Sequence, residues 1–207
     1  MTKYKRYQDY VIKDGKLVGE FEEMYQDFDD PWEQSERERF ASEKAVCINL
    51  IESLPIQNVV ELGCGFGQLT NRIQKVCPSV TGLDLSPTAI KKASTVYPNC
   101  NFLVSEFPDL DLLRKLAPDC IVMAEITWYV LDQLDGFIEF LRDEMPNTYL
   151  IHMLMTYADG EQKYGAEKFT NLATIKDYFG MNYIESGEVQ HKEHNGGKRT
   201  YFIGKFS

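Results

Sequence analysis

The sequence predicts a doubly wound α/β domain whose seven-stranded, mostly parallel sheet ends in an antiparallel hairpin, and three observations carry that expectation. A chain of 207 residues suits one α/β domain with a real core and is short for two. From Asn58 onward, β-rich runs alternate with helical stretches, the pattern of a parallel sheet covered on both faces. The last two β-rich runs are joined by a turn through Asn195, Gly196 and Gly197, too short for a parallel crossover.

Taken in order, residues 1–34 form a preamble with seven aromatics set among charges: Tyr4, Tyr7, Tyr10, Phe21, Tyr25, Phe28 and Trp32. Asp29, Asp30 and Pro31 break the chain before a helix expected over 35–54. Ser35 and Glu38 have the spacing of a capping box, in which each side chain satisfies a backbone N–H left open at a helix start. Phe40, Cys47, Ile51 and Leu54 then recur at helical spacing until Pro55 stops the segment. Strands are expected at 59–62, 80–84, 101–105, 120–125 and 149–155, with helices at 69–76, 87–96, 110–116 and 133–142. A Gly-bearing loop leads to a helix near 171–179 and strands around 183–189 and 200–206. The whole of 1–207 reads as one domain: a lid segment over 1–34, a helix over 35–54, a core over 58–155, and a substrate loop with terminal hairpin over 156–207.

Thirty-two acids against 22 bases leave a net charge of −10, which argues against a nucleic-acid partner, because such affinity rests on clustered Lys and Arg displacing counterions. With 43% hydrophobic residues the chain has the composition of a folded globule rather than an acidic tail. The start lacks the apolar stretch of a secretory signal and no run approaches membrane-spanning length, so a cytoplasmic protein without a membrane partner is expected. Cys47, Cys64, Cys77, Cys100 and Cys120 are odd in number and show no C-x-x-C, which speaks against a disulfide framework or structural zinc. They read as buried small hydrophobes, with Cys64 set apart by its loop. Three dispersed histidines argue for no metal site, and His191 and His194 read as solvated.

The chemistry concentrates where the first strand ends. Glu61-Leu62-Gly63-Cys64-Gly65-Phe66-Gly67 places three glycines at alternate positions between strand and helix, where backbone can approach a ligand that a Cβ would exclude. Dinucleotide enzymes use G-x-G-x-x-G; this loop reads G-x-G-x-G, with Glu61 ahead of it, a carboxylate suited to an ammonium or an ordered water rather than a phosphate. Asp84, ending the second strand, is placed to accept hydrogen bonds from two ribose hydroxyls.

On these residues, 58 to about 145 resemble the class I S-adenosylmethionine-dependent methyltransferases: E-L-G-C-G-F-G, the acid of G-L-D-L-S and the segment C-I-V-M-A-E stand in that family's order and spacing. Asp30-Pro31-Trp32, Glu43, Lys44 and the run from Ala124 to Tyr129 further resemble the subgroup of nodulation-factor N-methyltransferases and related sugar or small-metabolite enzymes. The resemblance implies S-adenosylmethionine as cofactor. Gly63, Cys64, Gly65 and Gly67 would line its methionine moiety, Asp84 would hold the ribose, and Leu85 would cover one adenine face. Glu106, within Ser105-Glu106-Phe107, would meet the adenine amino group with Phe107 against the ring. Apart from the resemblance, the aromatic preamble reads either as simple packing or as a lid in which Trp32 and Tyr25 close over the cofactor.

The acceptor is left open between an amine, which need only arrive deprotonated, and a hydroxyl, which gains from a general base. His152 is the first candidate base and Glu125 the second. Glu125 ends the fourth strand, where it could orient the acceptor, face the sulfonium or merely satisfy a backbone N–H; His152 could equally be a hydrogen-bonded core residue. The long loop from Tyr157 to Thr170 suggests an acceptor pocket of Tyr25, Tyr129, Tyr157, Lys163 and Tyr164, Lys163 suiting an acidic group. A-E-I-T after the fourth strand, in place of N-P-P-Y or D-P-P-Y, speaks against DNA-amine or protein-glutamine methylation. The expected acceptor is therefore a small metabolite or sugar. Two further readings are a nicotinamide-dependent oxidoreductase on a similar sheet, and a catalytically silent subunit that keeps the cofactor pocket.

Overall fold

The computed structural model describes residues 2–32, 42–190 and 197–207. The preamble folds on itself as α1 (Gln8–Val11), a small hairpin of β1 (Ile12–Lys13) and β2 (Lys16–Leu17), and α2 (Phe21–Asp27). Asp14 and Gly15, both at positive φ, make the Asp-Gly turn that two-residue hairpins favour. Helix α3 (Ser42–Ser53) buries Cys47 and Ile51, two of the residues whose spacing predicts it. The capping box at Ser35 and Phe40 lie outside the described residues.

Beyond α3 the alternation runs β3 (Asn58–Leu62), α4 (Gln68–Ile73), β4 (Ser79–Asp84), α5 (Pro87–Val96), β5 (Asn101–Val104), α6 (Leu110–Leu116) and β6 (Cys120–Ala124). A 3₁₀ turn over Thr127–Tyr129 leads to α7 (Leu134–Glu144), β7 (Tyr149–Thr156), α8 (Leu172–Phe179), β8 (Asn182–Gln190) and β9 (Lys198–Lys205). The strands expected from sequence are all present with shifted ends; α4 is shorter than expected because its last turn is loose over 74–76.

The large sheet has the order β5-β4-β3-β6-β7-β9-β8. Its first five strands are parallel, and β9 runs antiparallel between β7 and β8, as the short final link predicts. Asn195 and Gly196 of that link, with His191 and His194, lie outside the described residues. Helices α3 and α4 pack one face, where Ile51, Leu69 and Ile73 meet Val59, Val122 and Ile151. Helices α6, α7 and α8 pack the other, where Leu113, Phe137 and Phe179 meet Val60, Ile121 and Phe202. Burial on both faces explains why β3 and β6 read as apolar runs rather than alternating ones.

Because β3 pairs with both β4 and β6, the strand order reverses there, opening a crevice above the carboxyl ends of these strands. The preamble roofs it. Tyr10, Met24 and Tyr25 are buried against Phe66 and Ala89, a third apolar cluster that joins the preamble to the sheet domain. The Glu22 carboxylate accepts from the Thr88 N–H at 3.1 Å, the Thr88 hydroxyl at 2.6 Å and the Ser86 hydroxyl, setting an acid at the positive end of α5. Among the described residues no helix is long and apolar enough to cross a membrane.

Candidate functional site

A cavity of about 470 Å³ occupies the crevice between the strand ends and the preamble. That is the size of a pocket for one small organic ligand. Its floor is the turn after β3, where Leu62 and Gly63 line it. Gly63 has φ +70°, and a Cβ there would run into the Ile126 side chain, so glycine is demanded both by the turn and by its neighbour.

Asp84 stands at the end of β4 with 8% exposure. One carboxylate oxygen accepts the Gly65 N–H at 2.8 Å and the other the Ser86 N–H at 2.9 Å. Asp84 also lines the cavity, where its carboxylate can accept from a ligand. Burial raises the Asp84 carboxyl, and these two hydrogen bonds oppose the rise. Leu85, Ser105, Glu106 and Phe107 form the adjoining wall.

On the other side of the turn stands Glu125. It takes φ +63°, a left-handed conformation costly for a side-chain-bearing residue. Its N–H donates to Met153 O at 2.9 Å and its Oε2 accepts the Met155 N–H at 2.9 Å, so two bonds to β7 fix its aim. Burial raises its carboxyl above the ordinary range. Glu125 thus satisfies a backbone N–H, as one of the expected alternatives had it, and it also lines the cavity. Tyr25, Trp32, Tyr129 and Tyr157 line it too, with the Trp32 indole N–H donating to the Tyr25 hydroxyl at 2.9 Å.

Several residues singled out from sequence lie elsewhere. Glu61 is buried beneath the sheet with its carboxylate on the Thr70 hydroxyl, and desolvation pushes it up to about 7. Cys64, Gly65 and Gly67 carry the turn away from the cavity: Cys64 is buried, and the open side of Gly67 is filled by the Phe102 ring. Of the three, Gly65 still serves the site through its N–H on Asp84.

His152, the first candidate base, is fully buried between Phe202, stacked at 4.9 Å, and Phe179. Its Nε2 pairs with the Thr127 hydroxyl at 2.7 Å, and burial alone depresses it to about 3. It is a core residue on the face covered by α6, α7 and α8, outside the lining, because alternate residues of β7 point to opposite faces. Lys163 is exposed and Tyr164 packs against the α7–α8 core, so neither reaches the cavity. The loop turns there because Gly165, at φ +71°, seats against Leu131 and Trp128.

In their place the structure brings Tyr7, Phe21, Glu43, Lys44, Trp128 and Arg199 to the lining. Glu43, 3% exposed, holds the Arg199 guanidinium at 3.0 Å. The preamble aromatics were visible as a cluster in the sequence. Arg199 carries no local signal, since it reaches the site only through β9 returning beside β7. All five cysteines are free, four of them buried, and no group of metal-ligating side chains is present among the described residues.

Residues 59–143 match the model of a methyltransferase domain family. The trans-aconitate 2-methyltransferase of Escherichia coli (strain K12 / DH10B) is 27% identical over 165 residues, 72% of this chain and 65% of that protein, so the chain spans about two thirds of this relative's length. Ribosomal RNA small subunit methyltransferase A of Chlorobium limicola is 37% identical over 65 residues, 31% of this chain and 25% of that one. Among solved structures, the N-methyltransferase NodS from Bradyrhizobium japonicum WM9, in complex with S-adenosyl-L-homocysteine, aligns with TM-score 0.61 at 18% identity over 87% of this chain and 94% of that one. TehB from Haemophilus influenzae aligns with TM-score 0.59 at 16% identity, covering 79% and 62%. Residues 59–143, from β3 into α7, thus match a methyltransferase domain, and the sheet that carries them is similar to the fold of solved methyltransferases such as NodS.

Proposed function

We propose that this chain transfers a methyl group from S-adenosylmethionine to an amine or hydroxyl of a small metabolite or sugar. The observation that carries the proposal is Asp84, a buried carboxylate at the tip of the second parallel strand, locked by two backbone N–H groups and open to the cavity. A paired ribose diol is the ligand group that fits two such oxygens. When bound, S-adenosylmethionine supplies a methyl group on a positively charged sulfur; the chain's residues position it.

Glu106, Phe107 and Leu85 would take the adenine, and Leu62 with Gly63 would follow the amino-acid tail, to whose carboxylate Lys44 offers a cation. Trp32 and Tyr25 would close over the cofactor from the preamble and exclude water. Glu125 would orient the acceptor and could take a proton from it, a role His152 cannot fill from the core. In-line displacement depends mainly on alignment, and a rigid strand end provides it.

The relatives' names, a trans-aconitate 2-methyltransferase and an N-methyltransferase, support methyl transfer to a small acceptor. The net charge of −10 disfavours a ribosomal RNA acceptor. A nicotinamide dinucleotide is disfavoured because its pyrophosphate needs the start of α4, and Phe102 fills that side of Gly67.

The chain has two tryptophans, Trp32 and Trp128, and both line the cavity, so intrinsic fluorescence reports occupancy. Titration should show binding of S-adenosylmethionine and S-adenosylhomocysteine but not NADH. Incubation with labelled methyl donor and a panel of amines, amino sugars, glycosyl acceptors and hydroxy acids should yield a labelled product. Binding of NADH alone would sink the reading, and cofactor binding with no labelled product across the panel would favour a silent subunit.

A further inference from the structure

Next to Glu125 the cavity has an aromatic box. Tyr129 and Tyr157 stand close enough to Glu125 for its charge to raise both phenols, although burial is the larger cause. Trp32 lies over Tyr129 with ring centres 5.9 Å apart and planes 33° from parallel; Tyr7 meets Trp32 at 5.2 Å and Phe21 meets Tyr129 at 5.3 Å, both edge-on. All six residues line the cavity. Rings grouped around a space with one carboxylate form a receptor for a cation, because each ring face is negative and an alkylated ammonium sheds its water more readily than a bare one.

Arg199 and Lys44 are near enough to act on Glu125, but Glu43 holds Arg199 at 3.0 Å, and along the lining acids outnumber bases five to two. An uncharged hydroxyl would gain no cation–π attraction from such a box.

Resting on the proposed methyltransferase activity, we propose that the acceptor is an aliphatic amine and that the box of Tyr7, Phe21, Trp32, Tyr129 and Tyr157 with Glu125 binds the methylated ammonium it becomes. The neutral nitrogen's lone pair takes the methyl carbon, the carbon–sulfur bond breaks with its electrons passing to sulfur, and the positive charge moves from sulfur to nitrogen. The box sits where that charge arrives. Secondary and tertiary amines should therefore be accepted as well as primary ones, since each product is held by the same rings.

The test uses the protein saturated with S-adenosylhomocysteine, so that the sulfur's place is taken and only the acceptor side is free. Tryptophan fluorescence and calorimetry then compare choline with its uncharged isostere, in which a tert-butyl group replaces the trimethylammonium. Choline should bind about tenfold tighter. Tyr129→Leu should abolish the preference and Tyr129→Phe should keep it, with melting curves and S-adenosylhomocysteine affinity confirming that both variants fold. Equal affinity for the two probes, a preference surviving in Tyr129→Leu, or choline binding only when S-adenosylhomocysteine is absent would each overturn the amine assignment while leaving the cofactor reading intact. Failure of S-adenosylhomocysteine to bind the unaltered protein would instead overturn the activity on which the assignment rests.

Discussion

Arg199 and Glu43, 156 positions apart in sequence, meet at 3.0 Å with only 14% and 3% of their side chains exposed, tying the last strand to the helix that precedes the sheet. A buried pair of this kind is costly to break because the remaining charge is left without compensation. Glu43→Leu or Arg199→Met alone should therefore destabilise by about 3 kcal/mol, whereas the double replacement should cost less than the sum. Chemical denaturation of the four proteins measures this. Additive losses would show the two charges to be independent.

Asp84 is expected to matter more for ligand than for fold. Asp84→Asn keeps the shape, but its amide can accept through only one oxygen, so one of the Gly65 and Ser86 bonds is lost together with the charge. S-adenosylhomocysteine affinity should fall by about 1–3 kcal/mol, read from tryptophan quenching. Unchanged affinity would remove the ribose from this carboxylate.

His152 makes a prediction about acid. Its folded value of about 3 lies below the ordinary 6.5, so between these the unfolded chain binds a proton that the native core does not. The stability it contributes is complete above pH 6.5 and is lost as pH falls toward 3, by about 1.4 kcal/mol per pH unit. His152→Gln, which can still bond Thr127, should lose less stability than the unaltered protein on going from about pH 7 to about pH 5. Parallel slopes in the two proteins would mean that the imidazole titrates normally. Glu61, raised to about 7, acts in the opposite direction, its contribution being present below 4.5 and lost as pH rises, but it is common to both proteins and cancels.

The roof can be loosened on its own. Glu22→Ala removes the acceptors for Ser86 and Thr88 without touching the sheet. Limited proteolysis should then cut within residues 2–32 faster while the core fragment survives, and ligand should slow the cutting in the unaltered protein. Equal cutting rates would show that the apolar cluster around Tyr10 and Met24 holds the preamble without Glu22.

What the sequence determined is what depends on near neighbours. The alternation of strands and helices declared a sheet buried on both faces, the glycines after Leu62 declared a strand-to-helix turn, and Asp84 fell at a strand end by counting. These follow from side-chain periodicity and backbone sterics, which act over a few residues. The tertiary structure decided the rest, because a cavity wall is assembled from segments distant along the chain. One residue of difference in register on β7 put His152 in the core while Met153 faced the opposite side, and only the return of β9 brought Arg199 to Glu43. The loop with Lys163 and Tyr164 looked equally suited to the pocket in sequence. Its path was set by Gly165 seating on Leu131 and Trp128, a contact between residues more than thirty positions apart that no local pattern encodes.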